Sequence, residues 1–241
     1  MTKRDYHSDE FKRYVILGES TVEGGGWLAR REQRFADVVA RLIDECQERP
    51  VEYFNEGIGA SVISPRSPGY EASRKPSAIE RYQERVAARK PDLFVLCYGL
   101  NDMRCGCPLD IFVEDMETII RDVKAACDPV TVLTTVYHMT GFDRYESFNA
   151  GSVEATKEYN RAIASLAEKH DCILADVWDA EGTADHVIHP DGVHANAVWN
   201  LLIGHKVFEA IAQNCTGLSV HTQYLDSDTK WTKDTRKRTD A

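Results

Sequence analysis

The chain has 241 residues, 43% of them hydrophobic, enough for one large domain with an ample core. Lys and Arg total 29 against 39 Asp and Glu, and a formal charge of -10 argues against nucleic acid or an anionic membrane as the main partner. The amino-terminal segment lacks the apolar core of a secretion signal, and no apolar stretch approaches the ~18 residues of a membrane span, so a cytoplasmic protein is expected.

In chain order, short apolar runs predict strands at 14–17, 51–55, 93–98, 130–136 and 172–177. The first stops at Gly18 and presents Glu19 and Ser20, with Gly24, Gly25 and Gly26 close behind. Phe35, Val38, Val39, Leu42, Ile43 and Cys46 then mark a helical face. The second strand leads into Asn55-Glu56-Gly57-Ile58-Gly59-Ala60 and a long connection, 60–76, before a helix marked by Ile79, Tyr82 and Val86.

The third strand runs into Gly99-Leu100-Asn101-Asp102, and Ile119, Ile120 and Val123 mark the next helix. After the fourth comes a second long connection, 137–152, whose Tyr137, His138, Met139, Phe142, Tyr145 and Phe148 could wall a pocket. Tyr159, Ala162, Ile163 and Leu166 form a further face, and the fifth strand is followed by Asp191-Gly192-Val193-His194. Val198, Leu201, Leu202, His205 and Phe208 are expected to give the buried face of the last helix. Residues 1–216 read as one domain, and 217–241, with Lys233, Arg236, Lys237 and Arg238, as a polar tail that either wanders or docks on a neighbour.

Alternating strands and helices imply an α/β fold, a parallel sheet between two helical layers. Three polar groups then fall on one edge of that sheet. Ser20 follows a strand's carboxyl end, where open α/β sheets keep their sites, although serine is also a common helix N-cap. Asp191 precedes His194 by three residues across a glycine, so a tight turn could set the carboxylate on Nδ1 and leave Nε2 free to take a serine proton. The alternative is a turn or cap aspartate beside a solvated histidine. Asn101 can donate an amide N–H to an oxyanion, or close an Asx-turn.

Taken together these blocks resemble the SGNH hydrolases, the GDSL-type esterase and lipase superfamily, over roughly residues 14–213. Gly18-Glu19-Ser20 is similar to its nucleophile block, Asn55 to Ala60 to its second, Gly99 to Asp102 to its Gly-x-Asn-Asp, and Asp191 to His194 to its Asp-x-x-His. Two departures stand out: Glu19 replaces the usual Asp, and Ala60, next to Gly59, falls where the family has an oxyanion glycine. The resemblance implies a three-layer α/β/α sandwich with a five-stranded parallel sheet of order 2-1-3-4-5, whose switch point lies between strands 1 and 3.

It further implies Ser20 as nucleophile, His194 as base and Asp191 as its orienter. The oxyanion hole would be the backbone N–H of Ser20, that of Ala60 or Gly59, and the Asn101 side chain. No cofactor and no metal are called for. The expected substrate is a small-molecule or carbohydrate ester, an acetylated sugar before a lysophospholipid or thioester, and a homo-oligomer is compatible with the chain. Arg104, two residues past Asp102, and Arg66, on the connection after the second strand, are the expected recognition residues.

Two other readings stay open. Asp185, His186, His189, Asp191 and His194 could form a metal site, though their spacing matches no common zinc pattern. Glu19 and Ala60 could mark a catalytically silent ligand-binding domain. The seven cysteines are odd in number and scattered, which fits reduced thiols, and Cys105-Gly106-Cys107 alone could have a redox or metal role.

Overall fold

A computed structural model describes residues 4–227. In chain order the elements are β1 (Arg13–Gly18), α1 (Ser20–Glu23), α2 (Phe35–Cys46), β2 (Glu52–Gly57), α3 (Tyr70–Ser73), α4 (Ala78–Arg85) and β3 (Leu93–Cys97). There follow α5 (Leu100–Arg104), α6 (Leu109–Cys127), β4 (Val130–Thr134), α7 (Val153–Lys169), β5 (Ile173–Ala175), α8 (Val177–Glu181), α9 (Ala197–Ala212) and α10 (Gly217–Ser227). The five strands form one sheet of order β2-β1-β3-β4-β5, every neighbouring pair parallel.

A parallel sheet covered on both faces needs strands that are apolar throughout, and Tyr14 to Leu17 and Leu93 to Leu96 are all fully buried. Helices α2 and α9 pack together in one layer, and α4, α6 and α7 pack consecutively in the other. Register places Gly18, the end of β1, between Gly57 of β2 and Cys97 of β3, so whatever leaves these strands starts from one line across the sheet. The approach there is close: a Cβ on Gly57 would lie 2.2 Å from the backbone nitrogen of Glu23 in α1. Among the described residues no helix is long and apolar enough to cross a membrane.

Two expectations are corrected. In α9 the buried face is Trp199, Asn200, Ile203, Gly204, Val207 and Ile211, whereas Val198, Leu201 and Leu202 are exposed. The helix is apolar almost all the way round, so periodicity cannot tell its faces apart. Specific contacts choose one: Asn200 Oδ1 accepts the Phe35 N–H that opens α2 (3.1 Å), and Gly204 sits so close that a Cβ would meet Val38 Cγ1 at 2.6 Å.

The second correction concerns the tail, whose first part is helix α10, packed on α2 and tied to the amino-terminal segment by Gly217 N–H donating to the His7 carbonyl (3.0 Å). Lys233, Arg236, Lys237 and Arg238 lie outside the described residues.

Ile203→Ala should therefore cost about 2–5 kcal/mol and Leu201→Ala less than about 0.5 kcal/mol, checked by thermal or denaturant unfolding of the two variants. Equal losses would mean that the helix is turned the other way.

Candidate active site

Glu19 decides where the parts stand. It is 1% exposed, and its side chain does not cap α1 but crosses to α5, where Oε1 accepts the Leu100 N–H (2.8 Å) and Oε2 the Asn101 N–H (2.9 Å). Gly99, at φ +123°, lets α5 begin immediately after the strand. Burial pushes the Glu19 carboxyl up, with the nearby Asp102 charge adding to it, while the N–H groups of Asn101 and Leu100 oppose the shift. The longer side chain thus reaches backbone donors on both Leu100 and Asn101.

Asn101, 4% exposed, donates one Nδ2 proton to the Ser61 carbonyl (3.0 Å) and keeps the other for the cleft. Asp102 beside it takes the Ile63 N–H with both oxygens, each at 3.1 Å, and so anchors the loop after β2. Buried Arg81 closes the arrangement from below, donating to the carbonyls of Glu56 and Gly18 and to the Tyr98 hydroxyl.

Gly192, at φ +78°, turns the chain so that Asp191 Oδ1 accepts the N–H groups of Val193 (2.8 Å) and His194 (2.9 Å). Its other oxygen, Oδ2, accepts from His194 Nδ1 at 2.6 Å. With Nδ1–H donating to the carboxylate, Nε2 is the acceptor for the Ser20 hydroxyl, 3.0 Å away. Burial alone would raise the Asp191 pKa, but the hydrogen bonds from His194 and Val193 outweigh it and hold the carboxyl at about 2. Its contribution to stability is complete above the unfolded carboxylate range and is lost as pH falls toward about 2. Burial pushes His194 below its ordinary value, against the pull of Asp191.

Ser20, Ala60, Asn101, Arg104 and His194 line one cleft of about 360 Å³, with Trp27, Tyr145 and Phe148 as its aromatic walls and Glu23 and Glu146 also at its lining. Trp27 stacks on the His194 imidazole, ring centroids 3.8 Å apart and planes 17° apart. Ala60 adopts φ +59°, a left-handed conformation that costs an alanine ~1 kcal/mol. Among the described residues neither its N–H nor that of Ser20 has a partner.

Gly59 is corrected as an oxyanion donor, because its N–H is taken by Glu23 Oε2 at 2.7 Å. Arg66 is corrected as a recognition residue: it lies outside the cleft lining and pairs with Glu114 (2.9 Å) and Asp115 (2.6 Å) of α6. Of the histidine-rich segment, His189 and His194 both meet Asp191 Oδ2, His189 Nδ1 at 3.2 Å, whereas Asp185 is drawn away to His138 Nε2 (3.0 Å). Among the described residues no three His, Cys, Asp or Glu side chains are grouped to hold a metal. Cys105 and Cys107 are buried free thiols. Trp27 and Glu23 were missed by sequence reasoning, and the signal for Trp27 was an aromatic closing a run of three glycines seven residues after Ser20.

Solved structures of similar fold include a lipase/acylhydrolase from Enterococcus faecalis (21% identity, covering 84% of this chain and 96% of that one, TM-score 0.66). The acetylxylan esterase Axe2 from Geobacillus stearothermophilus is similar as well (16% identity, 85% and 95% covered, TM-score 0.63). Comparison with curated proteins gives no match. The sequence model of one family matches residues 16–198, a span that holds β1 with Ser20, α5 with Asn101 and the turn with Asp191 and His194. By that match the chain belongs to the GDSL-like lipase/acylhydrolase family, and it is a hydrolase of that kind.

Proposed function

We propose that this hydrolase is a serine esterase. The observation that carries the reading is the unbroken hydrogen-bond chain from Asp191 through His194 to Ser20, opening into the cleft that Asn101 lines. Ser20 Oγ attacks the ester carbonyl as His194 Nε2 takes its proton, and the resulting imidazolium is held by Asp191. The oxyanion accepts hydrogen bonds from the N–H groups of Ser20 and Ala60 and from Asn101 Nδ2. His194 then returns the proton to the leaving alcohol, and water repeats the cycle on the acyl-enzyme.

The acyl group is short, an acetyl carried on a carbohydrate. The modest cleft supports this, as does the likeness in fold to an acetylxylan esterase. Candidate substrates for a first screen are p-nitrophenyl acetate, butyrate and octanoate together with acetylated sugars.

Ser20→Ala should lower kcat at least ~10⁴-fold with an unchanged melting temperature, and full activity would remove Ser20 as nucleophile. Asn101→Ala should lose ~10²- to 10³-fold in kcat with little change in KM, since an oxyanion donor acts mainly in the transition state. Wild-type rates in that variant would reduce Asn101 to a loop anchor.

The pH profile is a separate check. His194 must be neutral to accept the Ser20 proton, so kcat/KM should fall as pH drops through its pKa, with the midpoint below the ordinary histidine value of about 6.5. Asp191→Asn removes the group that pulls this pKa up, so the midpoint should move further down while kcat falls by ~10⁴. A midpoint above 7 in the wild type would contradict the assignment of His194 as the base.

A further inference from the structure

The cleft holds a cation with no ion-pair partner. Arg104 ends α5, is 3% exposed, and makes one hydrogen bond with its guanidinium, from Nη2 to the Arg144 carbonyl. Its Nε is buried without any partner, and among the described residues no carboxylate pairs with it. The two acids of the cleft lining leave it alone: Glu23 accepts the Gly59 N–H, and Glu146 stands exposed. Two aromatic rings flank it, the guanidinium carbon lying 5.6 Å from the Tyr145 ring centroid and 6.0 Å from that of Phe148, and the carboxyl groups of Glu19 and Asp191 act on it through space without pairing with it. Desolvation accordingly pulls the Arg104 pKa down.

The side chain is also held in place. Its backbone carbonyl accepts the Ala150 N–H at 2.8 Å, and a Cβ on Gly151 would lie 3.2 Å from its Cγ. A guanidinium fixed in a largely apolar cleft, with N–H donors to spare, suits a carboxylate, which it can bind with two parallel hydrogen bonds. Asn101 sits three residues earlier on the same helix, and side chains at that spacing are neighbours. An anion on Arg104 is therefore only a few bonds from a carbonyl whose oxygen is held by Asn101.

We infer that the ester hydrolysed here carries a carboxylate, bound by Arg104 beside the scissile carbonyl. This rests on the reading of Ser20 as nucleophile and adds to it the charge of the substrate. On an acetyl ester the carboxylate belongs to the alcohol, whereas a carboxylate on the acyl side would replace the acetyl reading, and two pairs of esters separate these cases. Mono-p-nitrophenyl adipate against p-nitrophenyl hexanoate places the charge on the acyl side. The second pair, 3-acetoxybenzoate against 3-acetoxybenzamide, places it on the alcohol side.

In at least one pair the wild type should prefer the anionic ester by about 10- to 100-fold in kcat/KM, as a charge-assisted pair in a shielded site allows. Arg104→Met, which keeps the apolar bulk, should bring that ratio close to one, and Arg104→Lys should keep part of it. Fastening the loop at 137–152 is the competing role for Arg104, and its loss would slow both members of a pair alike. A wild-type ratio near or below one in both pairs, or a high ratio unchanged in Arg104→Met, would overturn the inference. Should the Met variant not fold, the wild-type and Lys ratios decide it.

Binding of the same esters to Ser20→Ala, followed by calorimetry, gives a readout independent of turnover, and the anionic member should bind about tenfold tighter or more. Equal binding of both members would count against Arg104. Undiminished hydrolysis in Ser20→Ala would instead overturn the nucleophile and leave the charge preference to stand or fall on the ratios.

Discussion

The geometry of the cleft depends on a buried carboxyl that accepts two backbone N–H groups. Glu19 belongs to the peptide that presents Ser20, and its acceptors' donors, Leu100 and Asn101, open α5. Those N–H groups are ones that a helix start cannot pair internally, and the helix dipole favours a negative group in that position. Ser20 and Asn101 are thereby joined through one side chain rather than through the sheet alone. Shortening the link by a methylene without moving the backbone would take both oxygens out of reach. Glu19 is in this sense part of how the chain sets the distance between β1 and α5, and its difference from the usual Asp alters the spacer and not the purpose.

Hydrogen bonds from backbone N–H groups also fix the two long connections. Asp102 receives the Ile63 N–H with both carboxyl oxygens, which holds the loop bearing Ala60 against α5. The carbonyl of Gly192, inside the Asp191–His194 turn, accepts N–H groups from Thr140 (3.0 Å) and Gly141 (2.7 Å), so the loop carrying Tyr145 and Phe148 is fixed to the turn carrying His194. Each of these two loops is thus attached to an element that carries Asn101 or His194. A loop that would otherwise be free to wander gains a defined position relative to the chemistry.

How far the sequence could be read follows from what each feature rests on. The strands came within a residue or two of their observed bounds because central parallel strands are continuous apolar runs with sharp ends, as at Leu17-Gly18. Ser20, Asn101, Asp191 and His194 were legible as a set because local spacing and strand ends bring them to one edge. The failures all involve contacts distant in sequence. Arg66 is drawn off by Glu114 and Asp115, nearly fifty residues on, and the Gly59 N–H is claimed by Glu23. The face of α9 was hidden by Val198, Leu201 and Leu202, apolar side chains that stay exposed. The first part of the stretch read as a polar tail is α10, which the amino-terminal segment holds by hydrogen bonds.

Trp27 bears on the base in a way that neither the turn nor the sheet can supply. Its indole covers one face of the His194 ring and removes water from it, which favours the neutral imidazole, while Asp191 at Nδ1 favours the charged one. In the cycle proposed above the two influences act on opposite sides: shielding would keep Nε2 free to accept a proton from Ser20, and the carboxylate would stabilise the ring once it has done so. An aromatic face is itself suited to the second state, since a π-system attracts a cation stacked against it. The indole can therefore disfavour the charge in the resting protein by excluding solvent and still tolerate it when the proton arrives. Its placement directly after Gly24, Gly25 and Gly26 ties this balance to a short glycine-rich stretch beside Ser20 and to the lining of the cleft.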